Sequence, residues 1–119
     1  MTMILPTPDS IPSKHELALL ALLEAGKEGL SKLSAINLYG ETSLPTTISE
    51  LGLKRGFRLE RQQRKHRHRY GGVTHFTWYW LADYGEACRA VCFINELRSH
   101  RKAEPLTRES SDQLIRAFR

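Results

Sequence analysis

Hydrophobic positions along the chain follow two periods. In residues 17–23, Leu17, Leu20 and Leu23, with Ala21, recur at spacings of three and four, as along one face of a helix. Ser13 followed by Glu16 has the form of a capping box, and Gly26 and Gly29 come after the apolar run. A first helix is therefore expected over 14–25, with a glycine turn behind it. Ser31 can cap a second helix whose inner face is expected to be Leu33 and Ile36, joined by Ala35 and Tyr39, and Gly40 ends it. After a polar link over 41–43, Pro45 stands where a third helix starts, since a missing amide costs nothing there. Ile48 and Leu51 supply the buried stripe of that helix, and Leu44 packs at its entry. Thr46, Thr47, Ser49, Glu50 and Lys54 are expected to face other directions, and Gly52 or Gly56 to stop it.

Near Phe57 the period changes. Phe57, Leu59 and Arg61 alternate with Arg58, Glu60 and Gln62, and the aromatic run over 74–81 reads as a strand. Between them lies an arginine- and histidine-rich stretch ending in Tyr70, Gly71 and Gly72. The expectation is a β-hairpin with a basic tip. Trp78 and Trp80 fall on one strand face, and Thr77, Tyr79 and Leu81 on the other. A further helix is expected over 83–97, with Ala87, Ala90, Val91, Ile94 and Leu97 as its stripe and Cys88 and Cys92 along one edge. The domain division that follows is a loose arm over 1–12, carrying Pro6, Pro8 and Pro12, a folded unit over 13–98, and a polar tail over 99–119. A short helix near 111–118 is compatible with that tail.

Composition narrows the class. A chain of 119 residues, 40% hydrophobic and 26% charged, supports one core with a wet surface. The longest apolar run, 17–23, is too short to span a bilayer, and residues 1–12 have no secretory pattern. Two cysteines make no disulfide framework, so the expected location is cytoplasmic.

Charge changes the picture most. The net charge is +5, and residues 54–69 hold eight of the 18 basic side chains. These are Lys54, Arg55, Arg58, Arg61, Arg64, Lys65, Arg67 and Arg69, with His66 and His68 among them and Glu60 as their single acid. Such a block makes a strong positive field, and duplex DNA is the densest common polyanion. The plain alternative is a solubilising loop.

Three short helices followed by a hairpin is the element order of an α+β winged helix-turn-helix, with the third helix presented to a groove, the hairpin as wing and a C-terminal helix behind. The segments LSAINLYGETSLPTTISEL (33–51) and GGVTHFTWYWL (71–81) resemble the helix-turn-helix and the wing strand of small winged-helix DNA-binding proteins of bacteria, phages and prophages. Gly40, Leu44, Thr47, Ile48 and Ser49 match that pattern, while Pro45, Trp78 and Trp80 depart from it. The resemblance spans about 13–97 and implies that Thr47 and its neighbours lie on a recognition helix.

The candidate DNA-reading residues are Thr46, Thr47, Ser49 and Glu50, followed by Lys54 and Arg55 for phosphate contact. Local capping is the plain reading of the first three. Arg64, Lys65, His66, Arg67, His68 and Arg69 are the wing candidates, by phosphate tracking or by entry into a narrow minor groove. Trp78 and Trp80 are candidate interface residues, to be covered by a second copy, the amino-terminal arm or the last helix, with packing beneath the C-terminal tail as the plain reading. Cys88 and Cys92 lack the spacing of a redox pair or a zinc knuckle and read as small buried side chains. No clustered carboxylates, phosphate cradle or nucleophile elbow occurs in the sequence. The expectation is a non-enzymatic, sequence-specific binder of double-stranded DNA. It would act as a homodimeric transcriptional repressor of phage or prophage type, without metal, cofactor, membrane or small-molecule partner. A DNA-bending recombination accessory factor, and a protein- or RNA-interaction module on the same fold, stay open beside it.

Overall fold

The computed structural model describes residues 11–119, so the expected arm over 1–12 lies outside it except for Ile11 and Pro12. Local signals set most of the elements. The Ser13 hydroxyl accepts the Glu16 N–H at 3.2 Å and opens α1 (Lys14–Ala25), which a 3-10 turn (Gly26–Glu28) closes. The short strand β1 (Leu30–Ser31) runs straight into α2 (Lys32–Tyr39), where Ser31 and Ser34 form a reciprocal capping box. Helix α3 (Leu44–Arg55) carries Pro45 in its first turn and ends at Gly56, whose φ of 74° suits a residue without a Cβ. Strands β2 (Leu59–Arg67) and β3 (Val73–Leu81) form the hairpin, followed by α4 (Tyr84–His100), capped by Asp83, and α5 (Arg108–Arg116), capped by Thr107.

The described residues thus form a mixed α+β fold of five α-helices and a three-stranded antiparallel sheet in the order β1-β3-β2. The hairpin pairing runs from Leu59 opposite Leu81 to Arg67 opposite Val73, the antiparallel pairing expected from the alternation. On the other side of β3, Leu30 pairs with Tyr79 and Ser31 with Trp78. Gly29 makes that approach possible, because a Cβ there would stand 2.9 Å from the Tyr79 carbonyl oxygen.

The core gathers around α1, which packs against every other helix and against β3. Its buried residues are Ala18, Leu19, Ala21, Leu22 and Leu23, whereas Leu17 and Leu20 sit half-buried at the edge, so the expected stripe is rotated. With neighbours on several sides, an almost continuous apolar run does not mark its own centre. Leu30, Leu44, Ile48, Leu51, Leu81, Ala87, Ala90 and Ile94 complete the core, each fully buried leucine contributing roughly 1.5–3 kcal/mol.

Other expectations are corrected. In α2 only Ala35 is buried, and Leu33 and Ile36 are 43% and 41% exposed. The pairing of β1 with Trp78 fixes how α2 leaves the sheet, and the small Ala35 is the side chain turned inward. Most of the basic stretch lies in strand and not at the tip, because β2 continues through Arg67 and only His68 and Arg69 fall in the turn at 68–72. The polar tail is part of the packed structure. Phe118 is 3% exposed, and Leu106, Leu114 and Ile115 pack on the core beside α1 and α4. Two buried carboxylates tie distant segments. Glu16, 2% exposed, meets Arg101 Nη2 at 2.8 Å and Arg98 Nε at 3.3 Å, and Glu86 accepts the Arg58 N–H at 3.1 Å. No helix among the described residues is long and apolar enough to cross a membrane.

Candidate nucleic-acid interface

Extension of β2 to Arg67 divides the basic side chains between two faces. Arg61, Gln63, Lys65 and Arg67 lie opposite Tyr79, Thr77, His75 and Val73. Because Tyr79 and Leu81 are buried, this is the face toward the helices. Gln62, Arg64 and His66 lie opposite Trp78, Phe76 and Thr74 on the outer face.

The helix-side face meets α3. Ser49 and Leu53 of α3 and Leu59 and Arg61 of β2 border one cleft of about 280 Å³. Pro45, Lys32, His75 and Thr77 border a second, of about 270 Å³. This is a surface of two separate clefts, each bordered by residues of α3 and of the hairpin. Thr46 and Ser49 are exposed on α3, Ser49 at the first cleft, and Leu53 is 89% exposed. Lys65, Arg67 and Arg69 are exposed and make no ion pair with any described residue.

Thr47 is not on that surface. It is 0% exposed, and its hydroxyl donates to Glu41 Oε2 at 3.1 Å. Glu41, itself 3% exposed, accepts the Ser43 N–H through Oε1 at 2.8 Å and faces Lys14 Nζ at 3.5 Å. Ser43 makes no side-chain cap; the Glu41 carboxylate instead holds the Ser43 N–H at the amino end of α3, and Thr47 braces it from within. The expected reading role of Thr47 is corrected to a structural one.

Other candidates are engaged elsewhere. Glu50 is flanked by Lys54 at 3.4 Å and His15 at 3.7 Å, and the Lys54 ammonium holds its carboxyl below the usual range. The Arg55 guanidinium stands 5.1 Å from the Phe93 ring, toward α4. Arg58 donates to Asp83 at 2.6 Å. Arg64 donates to the Glu28 carbonyl at 2.7 Å and lies 5.1 Å and 5.6 Å from the rings of Trp78 and Trp80. Arg64 therefore supplies part of the cover that the sequence assigned to a partner or the tail, and both tryptophans remain half-buried. His66 packs edge-on against Phe76, and His68 Nε2 contacts the Thr74 hydroxyl. Cys88 is half-buried and Cys92 exposed, not the buried pair expected.

Sequence reasoning missed Lys32, Leu53, Arg61, His75 and Thr77 as parts of this surface. The period of two that marks Phe57 to Arg61, carried six residues further, places Lys65 and Arg67 on the same face as Arg61. Nothing local places Lys32 or His75 beside Pro45. Among the described residues no group of three or more His, Cys, Asp or Glu side chains is placed to hold a metal ion. Comparison with models of protein families, with curated proteins and with solved structures finds no match.

Proposed function

We propose that α2 and α3 form the helix-turn-helix of a winged-helix domain, with β2 and β3 as the wing, and that the chain binds double-stranded DNA sequence-specifically. The observation that carries this reading is that residues of α3 border two clefts together with Arg61 and His75 of the hairpin. A 12-residue helix about 18 Å long fits a major groove about 12 Å wide. Nine-residue strands of roughly 30 Å carry Lys65, Arg67 and Arg69 past the core, over the flanking backbone.

Thr46, Ser49 and Leu53 would meet base edges, Leu53 as an apolar contact for a thymine methyl. Lys32, Arg61, Lys65, Arg67 and Arg69 would meet phosphates. Because one such helix reads few base pairs, two copies on a two-fold site are part of the proposal. The role that follows is a non-catalytic transcriptional repressor of phage or prophage type, acting in the cytoplasm.

The test is a salt titration on a duplex selected from a random pool and on a scrambled one. Replacing Lys65, Arg67 and Arg69 by alanine should weaken both alike and flatten the salt slope by about 0.9 for each phosphate no longer neutralised. Replacing Thr46 or Ser49 by alanine should cost roughly 1–3 kcal/mol on the selected site alone. Absence of duplex binding at low salt would reject the reading. Symmetric half-sites and a dimer in sedimentation support the repressor, whereas direct repeats and bent DNA support an accessory factor.

One observation favours a protein-interaction module instead. Leu33 of α2 lies with Lys65, His66, Phe76 and Trp78 along a cleft of about 260 Å³. Duplex binding unaffected by replacement of Arg67 and Arg69 would favour that alternative.

A further inference from the structure

The clearest chemistry outside the DNA surface is the cysteine pair of α4. Cys88 and Cys92 are four residues apart in an uninterrupted helix, so both point to one side, with Cβ atoms about 5–6 Å apart. A direct disulfide wants Cβ atoms about 3.5–4.5 Å apart, closer than the helix holds them. A single atom bonded to both sulfurs spans the larger gap. Cys92 is exposed and Cys88 half-buried, and both residues border the same cleft.

The two thiols open onto a cleft of about 310 Å³ between α4 and the end of α3. Phe57 and Phe93 form its apolar wall, edge to face with centroids 5.8 Å apart. The guanidinium of Arg55 lies 5.1 Å from the Phe93 ring and that of Arg89 lies 4.9 Å from the Phe57 ring. The cleft therefore combines two soft nucleophiles with the edges of Phe57 and Phe93, whose rings are flanked by the two guanidinium groups.

We propose that Cys88 and Cys92 form a bidentate site for an aryl-substituted trivalent arsenical. The donor set decides this class. A zinc ion wants four ligands, and no three-ligand cluster forms among the described residues. An arsenic atom already carrying one organic group needs two sulfurs. In the reaction R–As=O gains two As–S bonds and loses its As=O bond. The oxygen leaves as water with the two thiol protons, and arsenic stays trivalent, so no oxidant or reductant takes part. The aryl group then lies against Phe57 and Phe93. This site stands independently of the DNA reading.

The experiment titrates phenylarsine oxide into the full chain in excess 2-mercaptoethanol, read by native mass spectrometry and calorimetry. The expected result is a one-to-one adduct lighter by one water than the sum of its parts, stable to the monothiol and released by a dithiol. Cys88→Ser and Cys92→Ser should each weaken binding at least about 100-fold, because closure of the second As–S bond within one molecule is lost. Cys92 is exposed, so Cys92→Ser carries the test even if Cys88→Ser disturbs packing. Lack of an adduct, its removal by the monothiol, or a Cys92→Ser protein that binds as tightly as the parent would each overturn the proposal.

Discussion

Thr47→Val separates the structural role of α3 from its proposed recognition role. Valine keeps the shape of threonine and deletes the hydroxyl that donates to Glu41 Oε2 at 3.1 Å. Both residues are buried, at 0% and 3% exposure, so water cannot replace the missing donor. A hydrogen bond to a charged group contributes about 1.5–3 kcal/mol, and the centre of that range is the expected loss of stability. Out of a total of roughly 5–15 kcal/mol the loss is large, and it should lower Tm by about 8 °C. Urea unfolding followed by circular dichroism should show a lower midpoint and an unchanged slope. A double-mutant cycle with Glu41→Gln should show strong coupling, since both changes remove the same hydrogen bond. Below its melting range the variant should rank duplexes as the parent does, because the side chain lies under α3 and not on its outer face. A variant of parental stability with an altered site preference would refute this reasoning and put Thr47 against DNA.

Glu16→Gln should cost about 3 kcal/mol in urea unfolding, because it removes the buried carboxylate that meets both Arg98 and Arg101, and 0.5 M salt should barely alter that difference between variant and parent. The Asp83 carboxyl is held below its usual range first by the Glu86 N–H and then by Arg58. Its contribution to stability is therefore complete above the unfolded value of about 3.9 and is lost as pH falls through the lower folded value. Asp83→Asn should remove that part of the acid unfolding curve, and an unchanged acid limb would contradict the assignment. Arg64→Ala should alter tryptophan fluorescence by uncovering Trp78 and Trp80 while leaving the salt slope of DNA binding unchanged; a flatter slope would return Arg64 to the phosphate contacts.

What the sequence determined by itself was the first three helices, the hairpin, the helix after it and the location of the charge, while β1 had no signal in it. Ser13 and Ser31 accept from amides three residues on, Pro45 sits in a first turn, and Gly56 adopts a left-handed conformation, all through contacts within a few residues. Alternation beginning at Phe57 and the glycines at 71–72 were enough to pair the hairpin antiparallel. The tertiary structure alone decided which way each element turned. Thr47 points inward because α3 must satisfy the Glu41 carboxylate. Leu33 and Ile36 face outward because β1 orients α2 through its pairing with Trp78. Arg64 turns to the Glu28 carbonyl, 36 residues away in sequence, and Glu16 finds Arg101 at a separation of 85. Rotation of a helix about its axis, and the choice of which strand face meets the core, are set by partners distant in the chain. Residue spacing carries the period of an element, and its phase relative to the core comes only from packing.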